Sequence, residues 1–166
     1  MLYHDLFGKF IADFGNKDLP ISKKILEVVG PFVQDMANGY RFEDERCEIL
    51  EKHLKKVIGP MEMVENEDKT KSDWVITVLA GLSIEFALII LVEVKNEIGT
   101  GGCDPYTQGG LSYVRRWAQN AFKDLRQCCN CPSIIIAVAG PWICVLGAVY
   151  LEKGIVDPFA DFIPLM

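Results

Sequence analysis

Between residues 74 and 92 the chain carries its longest apolar run. A stretch of that length can cross a bilayer as one helix or fold back as two buried strands. Two features favour the strands. Glu85 lies inside the run, and Gly81-Leu82-Ser83 has the composition of a turn between two β-rich halves. The run therefore reads as a hairpin, with strands over 73–80 and 84–95 and no membrane partner.

The second strand ends in an unusual way for so apolar a segment. Glu93 and Lys95 stand two apart in VEVK, so their side chains share one face of a sheet. Asp73 opens the other strand of the hairpin. With the strands antiparallel, the start of one lies beside the end of the other. Two carboxylates and one amine then meet at one end of the sheet. Neighbouring carboxylates repel, so one takes a proton or a cation sits between them. Hard oxygen ligands select Mg2+ or Mn2+, and magnesium uses only one or two protein carboxylates. Such an ion polarises a phosphoryl oxygen and lowers the pKa of a bound water. A lysine beside it orients that water or offsets charge on phosphorus. The plainer alternative is a structural Glu93–Lys95 ion pair near a sheet edge.

The remaining elements follow from periodicity and punctuation. Residues 1–40 read as an amphipathic helical extension, with Leu2, Leu6, Phe7, Phe10 and Phe14 at helical spacing. A second helix starts near Ser22, with Ile25, Val28 and Val29 on one side. Gly30-Pro31 breaks or kinks it, and Asn38-Gly39 stops it. A helix over 42–58 has Cys47, Leu50, Leu54 and Val57 as its apolar stripe, with Glu43 one turn before Cys47. Residues 61–64 read as a short first strand and 65–72 as a charged loop. The glycine-rich loop 99–102 lacks the lysine ending of a P-loop; it reads as a flexible approach to the site or a tight connection.

Asp104-Pro105 then opens a helix expected to reach residue 126. Leu111, Val114, Ala118, Ala121 and Leu125 form its expected apolar face. Opposite stand Gln108, Ser112, Arg115, Arg116, Gln119, Lys123 and Arg126, the densest basic patch in the chain. Such a face is either solvated or tracks phosphates. Two apolar strands, 133–139 and 142–150, flank Gly140-Pro141, and the tail adds a short edge strand. This order predicts an α/β fold, a central mixed sheet flanked by helices.

The 166 residues allow one domain, or one with a small helical appendage. A net charge of −6 argues against coating nucleic acid or anionic membrane by charge alone, though not against a local basic groove. The cysteines at 47, 103, 128, 129, 131 and 144 fit a reducing compartment, with Cys47 and Cys144 as core residues. The cluster CCNC at 128–131 invites zinc but lacks a second Cys/His pair, and His4 and His53 stand alone. Trp117 and Trp142 read as core or interface aromatics. No basic segment precedes an apolar one at the N-terminus, so an intracellular location is expected, with the nucleus among the compartments open to it.

Asp73, followed one hairpin later by Glu93-Val94-Lys95, resembles the core of the PD-(D/E)XK nuclease superfamily, the restriction-endonuclease-like fold. The stretch VEVKNEIGTGGCDPYTQGGLSY, with AGPWICVLGAVY downstream, resembles more closely the nuclease-like module of Crinkler-type effector and toxin proteins. The resemblance covers roughly residues 40–160 and implies an αβββαβ core in a domain of 41–166, beyond an extension of 1–40. It also implies Mg2+- or Mn2+-dependent hydrolysis of DNA phosphodiesters, with a metal-bound water as nucleophile. Asp73 and Glu93 would hold the ion, with Glu43, or else Glu45, added from the preceding helix; Lys95 would help activate the water. Gln108 and, one residue off the usual spacing, Tyr113 would steady the site or a phosphate, with Arg115, Arg116 and Lys123 further along the helix. Ser72 stands where the superfamily has its proline. Related modules also suggest another reading: a catalytically silent protein-binding or regulatory domain, acting as a homodimer or beside a kinase-like domain.

Overall fold

The apolar segments pair into one six-stranded mixed sheet with helices packed against it. The computed structural model describes residues 4–80, 86–99 and 102–165. Helices α1 (Asp5–Gly15), α2 (Lys23–Met36) and α3 (Glu43–Ile58) come first, then strands β1 (Trp74–Leu79) and β2 (Phe86–Lys95). Helix α4 (Pro105–Ala118), a 3-10 turn at Asn120–Phe122 and helix α5 (Lys123–Cys128) follow. Strands β3 (Ser133–Ala139), β4 (Trp142–Tyr150), β5 (Gly154–Pro158) and β6 (Ile163–Pro164) complete the chain.

The sheet runs β1-β2-β3-β4-β5, and β6 also pairs with β4. Among the described residues, only β2 and β3 pair in parallel; the other pairs are antiparallel. A parallel pair cannot be closed by a tight turn, and α4 lies in the crossover that joins them. Alternate residues of β2 and β3 feed two cores. Leu91, Ile135 and Ala137 pack with Tyr113 and Trp117 of α4. Val92, Val94, Ile136 and Val138 pack with Met36 of α2 and with Leu50 and Leu54 of α3. The central strands are thus covered on both faces, which explains their continuous apolar runs.

Several expectations change. Residues 61–64 do not form a strand; they contribute a single antiparallel bridge, Glu62 to Val75. Two strands rather than three therefore precede α4. The hairpin turn at Gly81-Leu82-Ser83, residues Ile84 and Glu85 and the middle of the 99–102 loop lie outside the described residues, as does Leu2. α2 runs through Gly30-Pro31 without ending there, and Ile25 and Val29 near its start are exposed while Met36 at its end is buried. Met36 belongs to the same core as Val92 and Val94, so packing crosses the expected boundary at residue 40. α1 buries Phe7 alone, against Phe159, while Leu6 and Phe14 stay exposed. Val57 of α3 is exposed, and Arg46 and His53 are buried on that helix instead.

The helix expected to reach residue 126 ends at Ala118. Gln119 takes an extended conformation, and its side chain donates to Asn66 Oδ1 at 2.8 Å. Arg126 from α5 turns back and donates to the carbonyls of Trp117 and Gln119, capping the broken end. The buried face of α4 is also rotated from the expected one. Gly109, Ser112, Tyr113 and Trp117 are inside, whereas Leu111, Ala118 and Ala121 are exposed; Val114 and Leu125 pack partly against the core as expected. No helix among the described residues is long and apolar enough to cross a membrane.

Candidate active site

Register places the acidic pair. Trp74 pairs with Val92 across the β1–β2 ladder. One further antiparallel step sets Asp73, just before β1, opposite Glu93, and directly opposed residues share a face. Asp73 is anchored there because its Oδ2 accepts the Val94 backbone N–H at 2.7 Å.

Glu93 is fully buried. Its two oxygens are held from one turn of α4: Ser112 Oγ donates to Oε1 at 2.7 Å and Gln108 Nε2 to Oε2 at 2.9 Å. Residues four apart share a helix face, so this pair forms a two-pronged clasp. The helix must come close for the clasp to close. Gly109 allows it, since a Cβ there would lie 2.6 Å from Ile135 Cγ2. Asp104 caps the start of α4 by accepting the Tyr106 N–H at 2.9 Å, with Pro105 in the first turn, which fixes where Gln108 falls.

Lys95 leaves the end of β2 toward α3, where its Nζ meets Glu43 Oε1 at 3.0 Å. Glu43 opens α3, beside Asp44 and Glu45, so acidic side chains cluster at the positive end of that helix. Glu45 is used locally, accepting the Phe42 N–H at 3.4 Å, and so caps its own helix. Ser72, at the position before Asp73, is buried.

The electrostatics match this crowding. Burial, with Asp73 adding to it, pushes Glu93 up to about 7 against the donors Ser112 and Gln108 and the charge of Lys95. Burial likewise raises Asp73, opposed by its Val94 hydrogen bond and by Lys95. Burial works to lower Lys95, but the hydrogen bond and charge of Glu43, with Asp73 and Glu93, outweigh it and leave it raised. Cys47, on α3, senses the same field: burial first, then Asp73, Glu43 and Asp44, push its thiol to about 12. The donors are hard oxygens in a negative field only partly offset by Lys95, a donor set of the kind that accepts a small divalent cation. Among the described residues, no three Asp, Glu, His or Cys side chains already stand at the spacing of one metal shell.

The structure therefore brings Asp73, Glu93, Lys95, Glu43 and Gln108 to one end of β2. It does not bring the rest of the expected set there. Tyr113 is wholly buried, and its hydroxyl donates to the Cys131 carbonyl at 2.8 Å. It is a core anchor of α4, not a substrate contact. The expected basic face is dispersed by the break at Ala118. Arg115 is exposed beside Glu67 and Asp68, and the Arg116 guanidinium lies 4.3 Å from the centre of the Phe122 ring. Lys123 belongs to α5, a separate helix. Ser112, which the sequence places only on that polar face, holds Glu93. Its signal in the sequence was the one-turn spacing from Gln108.

Comparison with protein-family models, with curated proteins and with solved structures found no match.

Proposed function

We propose that the chain is a Mg2+- or Mn2+-dependent nuclease domain of the PD-(D/E)XK type, hydrolysing phosphodiester bonds of DNA. One observation carries this reading: a fully buried glutamate, raised to about 7, lies opposite a second, half-buried carboxylate, with Lys95 beside them. Asp73 and Glu93 would hold the ion, with Glu43 as a third oxygen donor. When bound, the ion supplies charge for a phosphoryl oxygen and acidifies water. Gln108 and Ser112 orient Glu93. Lys95, shared with Glu43, offers a positive charge to the attacking water or to a phosphate oxygen. The negative balance and the dispersed basic residues give little long-range attraction to DNA, so binding is expected to be weak and cleavage slow at physiological ionic strength.

A second reading, a silent nuclease-fold module acting through protein contacts, is favoured by a different observation. Both Glu93 oxygens are already taken by Ser112 and Gln108. Plasmid cleavage at low salt separates the two. The nuclease reading expects nicking that needs Mg2+, stops with chelator and falls about 100-fold or more in Asp73→Ala and Lys95→Ala. Equal cutting by all three proteins points to a contaminant. No cutting by the wild type, together with no Mg2+ binding in calorimetry, leaves the binding module.

A further inference from the structure

The cysteine cluster before β3 plays no part in the site above. Cys129 Sγ and Cys131 Sγ lie 3.8 Å apart, in contact across a single asparagine. The two sulfurs differ in surroundings: Cys129 is exposed and Cys131 is buried in the α4-side core. Cys131 is the fixed partner. Its backbone is in the left-handed region at φ 49°, its carbonyl accepts from Tyr113 Oη at 2.8 Å, and its thiol lies 3.5 Å from the Cys129 carbonyl. Cys129 is the adjustable one, its sulfur 3.4 Å from the Cys131 N–H. Both line a cavity of about 320 Å³, with His4, Leu88, Trp117 and Pro132 among its walls, wide enough to admit a small oxidant. A disulfide needs sulfurs at about 2.05 Å, so closure asks for an approach of roughly 1.8 Å, within reach of a side-chain rotation at Cys129.

We infer that Cys129 and Cys131 form a peroxide-sensitive dithiol, with Cys129 as the attacked sulfur and Cys131 as the resolving one. Cys129–SH reacts with hydrogen peroxide to give Cys129–SOH and water. The Cys131 sulfur then attacks the sulfenic sulfur; the S–O bond breaks and the S–S bond forms. The departing hydroxide takes the Cys131 thiol proton and leaves as a second water. Each sulfur gives up one electron of the pair that reduces the peroxide. An exposed thiol beside a resolving partner is the arrangement of redox-sensing cysteines, whereas a lone buried thiol is inert. Burial pushes Cys131 up to about 12, so it keeps its proton and meets peroxide less readily than the exposed Cys129. The loop closed is too short to stabilise the fold by chain entropy, so the bond serves chemistry rather than scaffolding.

The test is intact-mass analysis of the full chain after one equivalent of hydrogen peroxide, followed by fragmentation of the tryptic segment 127–153. The expected result is loss of two hydrogens, reversed by dithiothreitol, with no fragment ions between residues 129 and 131 until reduction. Cys128→Ser should keep this product, and the exposed substitution Cys129→Ser should lose it. Gain of oxygen atoms without hydrogen loss, a bond to Cys128, or a cross-link between two chains overturns the assignment. So does a wild-type chain in which Cys129 and Cys131 both remain alkylatable after treatment.

Discussion

Arg46 and Glu93 are both charged and both almost wholly inside the protein, at 2% and 0% exposure, yet their surroundings are opposite. Arg46 makes four hydrogen bonds. It donates to the carbonyls of Met36, Gly140 and Asn38 at 3.1, 2.8 and 3.1 Å, and to Asn96 Oδ1 at 3.2 Å, with the Tyr40 ring 4.7 Å from its guanidinium carbon. Those partners come from the end of α2, the link to α3, the end of β2 and the β3–β4 turn. One side chain thus ties four parts of the fold together. Glu93 has two donors, a neighbouring acid and a lysine shared with Glu43. Arg46 is a completed network; Glu93 retains a demand for positive charge. A buried charge bonded to carbonyls from several segments ties a fold together, and a buried carboxylate short of positive charge is suited to bind a cation.

The largest effect expected from breaking this contrast is at Arg46. Arg46→Met leaves several buried carbonyls without a donor and should cost about 3–5 kcal/mol in urea unfolding. A loss under about 1 kcal/mol would mean the network is not what joins α2 to the sheet.

Glu93 should behave in the opposite sense. Its folded pKa, about 7, is raised above its ordinary value of 4.5, so the folded chain keeps a proton the unfolded chain releases between those values. Stability contributed by that proton is present below pH 4.5 and is lost as pH rises through 7, by about 3 kcal/mol in total. Glu93→Gln should flatten this slope and be the more stable protein at pH 8. Thermal melts from pH 4.5 to 8 read both, and parallel curves for the two proteins would contradict the buried-carboxyl account.

The smallest effect is expected at the clasp. Ser112→Ala removes one donor to Glu93 and should cost about 1–2 kcal/mol at pH 8, less at pH 5. It should also move the Glu93 carboxyl titration, followed by carbon NMR of the side chain, above its wild-type position. An unmoved titration would show that Ser112 does not hold the charged form.

Much of this architecture was readable in the chain, and the failures share a cause. The strands around Gly140 and the hairpin bearing Asp73 and Glu93 announce themselves by apolar runs and glycine punctuation, which are local signals. Glu43 comes to the site only through the resemblance, which adds a glutamate from the preceding helix; its spacing alone extends an apolar stripe. Arg46 could not be seen, since an arginine in a helix reads as solvated until its distant carbonyl partners are known. The end of α4 was missed because Gln119 is drawn to Asn66, 53 residues away in sequence. Its buried face departs from the expected stripe because Glu93 on the sheet draws Gln108 and Ser112 inward, beside Tyr113 and Trp117 in the core. The dispersal of Arg115, Arg116 and Lys123 follows from that same break.

The most direct test of the central claim is Mg2+ titration by calorimetry at pH 8 and pH 6, in two buffers of different ionisation enthalpy. If Asp73 and Glu93 form a cation site, the wild type binds one ion, more weakly at pH 6 and with proton release, because the ion must displace the proton that burial keeps on Glu93. Asp73→Asn and Glu93→Gln should each lose that binding while remaining folded. Binding that is absent in the wild type at pH 8, or unchanged in both variants, contradicts it.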